Sequence, residues 1–194
     1  MGSRLNQRFQ TAPKQFLERT VLLTDEFASS ESAALLRHKQ VHCIDIVPLD
    51  DRRTSGRVLP NVNAYQDMPL LGYFVTPTTF ALIPKEDPPC RFVFLPEFVG
   101  CRLLLRPEGT DWLRLDCEQG LVGATPAPET QPSSRYLDSF AYWDYTRGHL
   151  VGRIRATAVL VKEPDMPWTV YMQQIVGTPG YEVVRQLFWR RLHY

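Results

Sequence analysis

Arg91–Cys117 reads RFVFLPEFVGCRLLLRPEGTDWLRLDC, and the fold turns on how this stretch is parsed. Arg91–Leu95 is a short run of aromatic and branched apolar residues, the pattern of a buried strand. Pro96–Gly100 breaks it. Cys101–Leu105 is a second strand-like run, and Arg106–Thr110 (RPEGT) has turn chemistry. In Asp111–Asp116 the residues Trp112, Arg114 and Asp116 alternate with Leu113 and Leu115, which predicts a third strand with one buried face. Cys101 follows Gly100 directly. Glycine at a strand start leaves room for a ligand to approach the backbone, so the Cys101 sulfur at a strand edge is a candidate nucleophile. The competing reading makes Cys101 a small buried hydrophobe, the ordinary fate of a free cysteine.

The 194 residues are enough for one domain, 1–194, with a sizeable core, and residues 1–12 read as a flexible start. Apolar residues make up 44% and charged residues 22%, as in ordinary globular proteins. The 16 prolines are spread along the chain and point to a loop-rich, strand-containing fold. A net charge of +1 supplies no footprint for nucleic acid. No apolar run is long enough for a membrane span. MGSRLNQRFQTAPKQ lacks the apolar core of a secretory signal, so a cytosolic protein and one delivered by a specialised secretion system are both compatible. Cys43, Cys90, Cys101 and Cys117 fit no zinc spacing, so no metal or other cofactor is expected. Reduced thiols are expected, with a Cys101–Cys117 disulfide as the alternative.

Pro13–Leu23 has near-helical apolar spacing with proline in the first turn. Asp25–His38 is a second helix that Thr24 would cap. Val41–Val47 alternates as a strand, and Pro48–Asn63 reads as a long loop. Leu70–Val75 and Thr79–Pro84 are strands separated at Thr76–Pro77, and Lys85–Pro89 is a turn. Glu118–Arg135, rich in glycine, proline, serine and threonine, is a surface loop or a lid. Tyr136–His149 is dense in aromatics, which either pack as core or line a small-molecule pocket. Ile154–Lys162 and Trp168–Val176 are strands. Tyr181–Leu192 reads as an amphipathic helix with Val183, Val184, Leu187, Phe188 and Leu192 on one face. The predicted class is α+β: a twisted mixed or antiparallel sheet, with a β-sandwich core as one form, flanked by N-terminal helices and a C-terminal helix.

Phe98–Asp116 (FVGCRLLLRPEGTDWLRLD) resembles the Gly-Cys segment of the glutamine-deamidase toxins, of the Burkholderia lethal factor and cytotoxic necrotizing factor type. Gly100, Cys101, Arg102, Gly109, Trp112 and Asp116 match the pattern in order. The resemblance implies that Cys101 attacks the carboxamide of a glutamine in a partner protein, releasing ammonia and leaving a thioester that water hydrolyses. It implies a substrate and oxyanion region around Gly100, Trp112 and Asp116. Three departures stand out: Val99 replaces the motif serine, Leu113 occupies the position expected for the catalytic histidine, and Leu95 stands near where a hydroxyl-bearing third member is expected. Leucine cannot take a proton, and a thiol without a neighbouring base is mostly neutral near pH 7. His149 is the best replacement base, with His42 next; Asp116, Asp138 or Asp144 would orient the imidazole. Two functions follow. One is a cysteine-dependent deamidase, a toxin- or effector-type hydrolase relevant to virulence. The other is an inactive relative of that fold that binds a protein partner through Pro48–Asn63 and Glu118–Arg135.

Overall fold

A computed structural model describes residues 3–24, 41–49, 55–60, 69–75, 80–95, 97, 101–119, 138–140, 155–177, 182–192 and 194. These residues are mostly strands, with two short helices and a mixed sheet, an α+β arrangement. The helices come first: α1 is Ser3–Thr11 and α2 is Pro13–Arg19. The segment expected to be loose is therefore helical, and its Leu5 and Phe9 are buried. Ala12 is the joint between the helices, and its carbonyl accepts the Phe16 amide at 2.9 Å. Pro13 sits in the first turn of α2, where its missing amide costs nothing.

Helix α2 ends sooner than the periodicity predicts. Val21–Leu23 are β1, because three consecutive buried apolar residues satisfy a strand covered on both faces as well as they satisfy a helix. The remaining strands are β2 (His42–Pro48), β3 (Ser55–Pro60), β4 (Leu70–Phe74), β5 (Phe80–Pro84), β6 (Phe92–Phe94), β7 (Cys101–Glu108), β8 (Trp112–Gln119), β9 (Asp138–Phe140), β10 (Arg155–Val161), β11 (Thr169–Val176) and β12 (Val183–Arg191). Eight of them form one sheet in the order β1-β3-β2-β4-β6-β10-β11-β12. Its β1/β3 and β4/β6 pairs are parallel and the others antiparallel. The order β5-β8-β7-β9 makes a second, antiparallel sheet.

One apolar cluster joins the two sheets. Ala81, Ile83, Leu103, Leu105, Leu113 and Leu115 of the small sheet meet Tyr73, Val93, Ala158, Leu160, Val170 and Met172 of the large one. The other face of the large sheet is covered by the helices. Leu5, Phe9, Phe16 and Leu17 pack there on Ile44, Ile46, Val58, Phe92 and Phe94. Central strands thus bury both faces, which is why Phe92–Phe94 reads as a continuous apolar run. The large sheet coils so far that Val21 and Leu23 of β1, first in the order, pack with Ile175 of β11 and Val184 of β12, at the other end.

The predicted C-terminal helix over Tyr181–Leu192 is a strand, β12. A bulge explains the misleading spacing. The ladder runs Ile175↔Val184 but Gln174↔Gln186, so the alternation slips by one at Arg185. After the slip, Leu187 packs with the helix-side cluster and Phe188 with the inter-sheet cluster. Apolar residues on both faces around a slipped register imitate a helical stripe. The predicted loop Pro48–Asn63 likewise contains β3, masked in the sequence by Ser55, Gly56 and Pro60. Glycine is needed there, since a Cβ on Gly56 would come within 2.6 Å of Ile46 Cγ2. The predicted turn Arg106–Thr110 begins late: β7 runs through Pro107 to Glu108, and Gly109 turns the chain with φ of 67°. Asp25–His38, Thr76–Pro77, most of Glu118–Arg135 and all of Tyr136–His149 except β9 lie outside the described residues.

Candidate functional site

The β7–β8 hairpin carries the residues singled out by the Gly-Cys pattern. Cys101 is the first residue of β7, as the strand reading required, and its backbone pairs with Gln119. Cys117 pairs with Leu103, so the register does not set the two cysteines opposite each other. Gly100 and His149 lie outside the described residues. Trp112 is at the other end of the hairpin, opposite Glu108 of β7 and Pro84 of β5. Seven positions of extended chain separate Glu108 from Cys101, roughly 23 Å at 3.3 Å per residue. Trp112 and Cys101 are therefore not two walls of one small cleft.

Asp116 lies opposite Leu104 and Phe80. Its carboxylate accepts from Arg114 Nε at 2.9 and 3.1 Å and lies 3.6 Å from Arg106 Nε. Arg106 and Arg114 are direct cross-strand partners, an arrangement that repels on its own. Asp116 relieves that repulsion, and the Arg114 guanidinium also stacks 3.8 Å above the Phe80 ring. The carboxylate is committed to arginines, so orienting an imidazole would require it to leave them. Leu113, at the position expected for histidine, is fully buried between the sheets. His42 is on β2 of the large sheet, opposite Gly72, whereas Cys101 belongs to the small sheet.

The other described cysteines are free thiols. Burial pushes the Cys90 thiol up to about 11, and its sulfur lies 3.9 Å from the Phe92 carbonyl. It is a packing residue by these measures. No group of three or more metal-ligating side chains occurs among the described residues. No helix among them is long and apolar enough to cross a membrane.

A second surface was missed by the helical reading of the C-terminus. Among the described residues β12 is the last strand of the large sheet, and it is nine residues long. The Leu192 amide donates to the Trp168 carbonyl at 2.8 Å, which sets the phase of the ladder. In an antiparallel pair, inward and outward backbone groups alternate. The amides of Leu187, Trp189 and Arg191 therefore point away from β11. Val183 is 57% exposed and Trp189 54% exposed. Lys14 of α2 lies over the Trp189 ring, 5.6 Å from its centroid. VVRQLFWRR holds three arginines and no acid. Its β-branched pair and adjacent aromatics were the available strand signal.

No known protein family matches the chain, and no curated protein matches it.

Proposed function

We propose that this protein is a binding module that captures an extended, acidic segment of a partner protein along β12. The observation that supports the reading is the outward row of backbone groups at Leu187, Trp189 and Arg191 on a long edge strand. Such edges take up an additional strand through main-chain hydrogen bonds, with side-chain pockets giving selectivity. Native edges are usually shortened, bulged away or covered, and β12 among the described residues keeps a long regular half beyond its bulge. Arginine without acid along the strand favours a glutamate- or aspartate-rich partner. The same charge disfavours pairing of β12 with a second copy of itself, because like charges would face each other. The two face-to-face sheets serve in this proposal as a sandwich-type scaffold that holds the edge rigid.

Titration calorimetry with a synthetic peptide alternating glutamate and valine tests the reading. Binding is expected, weakening as salt rises. A lysine–valine peptide should not bind. Trp189→Pro should abolish binding yet leave the fold intact, since it removes an outward amide rather than a ladder bond. Equal binding of the acidic and basic peptides would refute the reading.

The deamidase is the second reading, favoured by Cys101 opening β7 immediately after Gly100. It would make Cys101 the nucleophile, His149 the base and a partner-protein glutamine the substrate. The buried leucine at position 113 and the arginine-bound Asp116 weigh against it. Faster alkylation of Cys101 than of Cys43, Cys90 and Cys117 at neutral pH, falling in acid, is the result this reading requires.

A further inference from the structure

On their outer side, α1 and α2 enclose a groove of about 360 Å3. Gln7, Arg8 and Thr11 of α1 form one wall, and Gln15 and Arg19 of α2 the other, with Phe16 between. No acidic side chain lines it. We infer that this groove binds a small, hydroxyl-bearing phosphate ester.

The class of ligand follows from the chemistry of the walls. Two guanidiniums face one concavity, and a guanidinium fork matches phosphate oxygens in a two-point contact. The Arg8 guanidinium lies within cation–π range of the Phe16 ring, 5.8 Å from its centroid, which biases it towards the groove. Phe16 is fixed in turn by an edge contact with Phe9 at 5.4 Å. Less ordering is then needed when an anion arrives. The Gln7 and Gln15 carboxamides supply further donors and acceptors. Thr11 Oγ1 already spends its proton on the Gln7 carbonyl at 2.8 Å, so it is left to accept. An acceptor beside two cations suits a ligand that pairs an anionic end with a hydroxyl donor. The volume falls within the range of small-ligand sites. Across α1 and α2 the charges are Arg4, Arg8, Lys14 and Arg19 against Glu18, so the surrounding field also attracts an anion.

Ribose 5-phosphate is the probe, with ribose and inorganic phosphate as controls, followed by amide shifts in the nuclear magnetic resonance spectrum. The expected result is saturable binding of ribose 5-phosphate that shifts the Arg8, Thr11 and Arg19 signals. Inorganic phosphate should bind more weakly and ribose not at all. Arg8→Gln and Arg19→Gln should each weaken binding about tenfold to a hundredfold, the loss of one charge-assisted contact. Arg4→Gln, outside the groove, is the control for general charge and should change it little. Vesicles carrying phosphoinositides distinguish a lipid headgroup from a free ester. If the vesicles bind in an Arg8- and Arg19-dependent way while ribose 5-phosphate does not, the small-ligand assignment is overturned. Unchanged binding in the Arg8→Gln and Arg19→Gln variants overturns the site altogether. Neither result bears on peptide capture at β12, which Trp189→Pro reports separately.

Discussion

The side-chain oxygen of Gln173 accepts the backbone N–H of Leu22 at 2.9 Å, across 151 residues of chain. The same oxygen accepts Thr157 Oγ1–H at 3.1 Å, and the Gln173 amide donates to the Leu17 and Thr20 carbonyls, both at 2.7 Å. One buried glutamine on β11 thus ties down the end of α2 and the start of β1. It does for the coiled sheet what a closing strand pair would do, since β1 and β11 are far apart in the strand order. Gln173→Leu would leave the Leu22 amide and two carbonyls without these bonds. At about 1–3 kcal/mol for each stranded buried group, the variant should lose at least about 3 kcal/mol, read from urea unfolding.

Asn6 plays the matching part at the other helix. Its amide donates to Asp45 Oδ1 at 2.6 Å and its oxygen accepts the Ile46 amide at 2.9 Å. β4 pairs with β2 only as far as Ile44, so Asn6 serves the strand beyond that point. None of this was legible in the sequence. Asn6 lies in a stretch that reads as polar and loose, and Gln173 in a strand whose neighbours are apolar. Long-range polar partners leave no periodic trace. What was legible is the set of strands covered on both faces and the Trp112-to-Asp116 alternation, whose leucines do enter the core. The C-terminal strand was illegible because its bulge destroys the period of two.

Lys162 is another buried polar tie. Its ammonium donates to the Lys85 carbonyl at 2.9 Å and pairs with Glu86 at 3.0 Å. Trp168 Nε1 donates to the neighbouring Pro84 carbonyl at 2.9 Å, and Tyr194 to the Lys85 carbonyl at 3.0 Å. These bonds hold the β5 end against β10, β11 and the C-terminus. Lys162→Met should cost about 1–3 kcal/mol in the same unfolding assay. Glu86→Gln should cost less, because the Glu86 side chain is 74% exposed.

Two of the constrained glycines, Gly56 and Gly109, should respond differently to alanine. Gly56→Ala drives a methyl against the branched Ile46 side chain and should cost about 1–3 kcal/mol through overpacking. Gly109→Ala meets no atom within 4 Å, so only its φ of 67° resists. That strain should cost about 1–2 kcal/mol. A second substitution separates the two causes: Ile46→Ala, which removes the Cγ2 methyl, should shrink the cost of Gly56→Ala and leave that of Gly109→Ala unaffected.

Alkali should loosen the core between the sheets. Burial raises Cys90 from 9.0 to about 11 and Tyr73 from 10.0 to about 12, with the Cys90 thiolate adding to the rise at Tyr73. Both groups keep their protons more tightly folded than unfolded. Their contribution is therefore complete below about pH 9 and is lost as pH climbs towards about 12. The melting temperature should be flat from neutral pH to about pH 9 in respect of these groups and then fall. Cys90→Ala should shrink that fall, and native Cys90 should resist alkylation at neutral pH.

The most direct test of the account is amide hydrogen exchange along β12 with and without the acidic glutamate–valine peptide. The amides of Leu187, Trp189 and Arg191 are expected to exchange freely alone and to become protected together in the complex. Gln186, Phe188 and Arg190, whose amides already face β11, should change little. If the peptide binds without protecting the three outward amides, β12 is not the capturing edge and the proposed function is wrong.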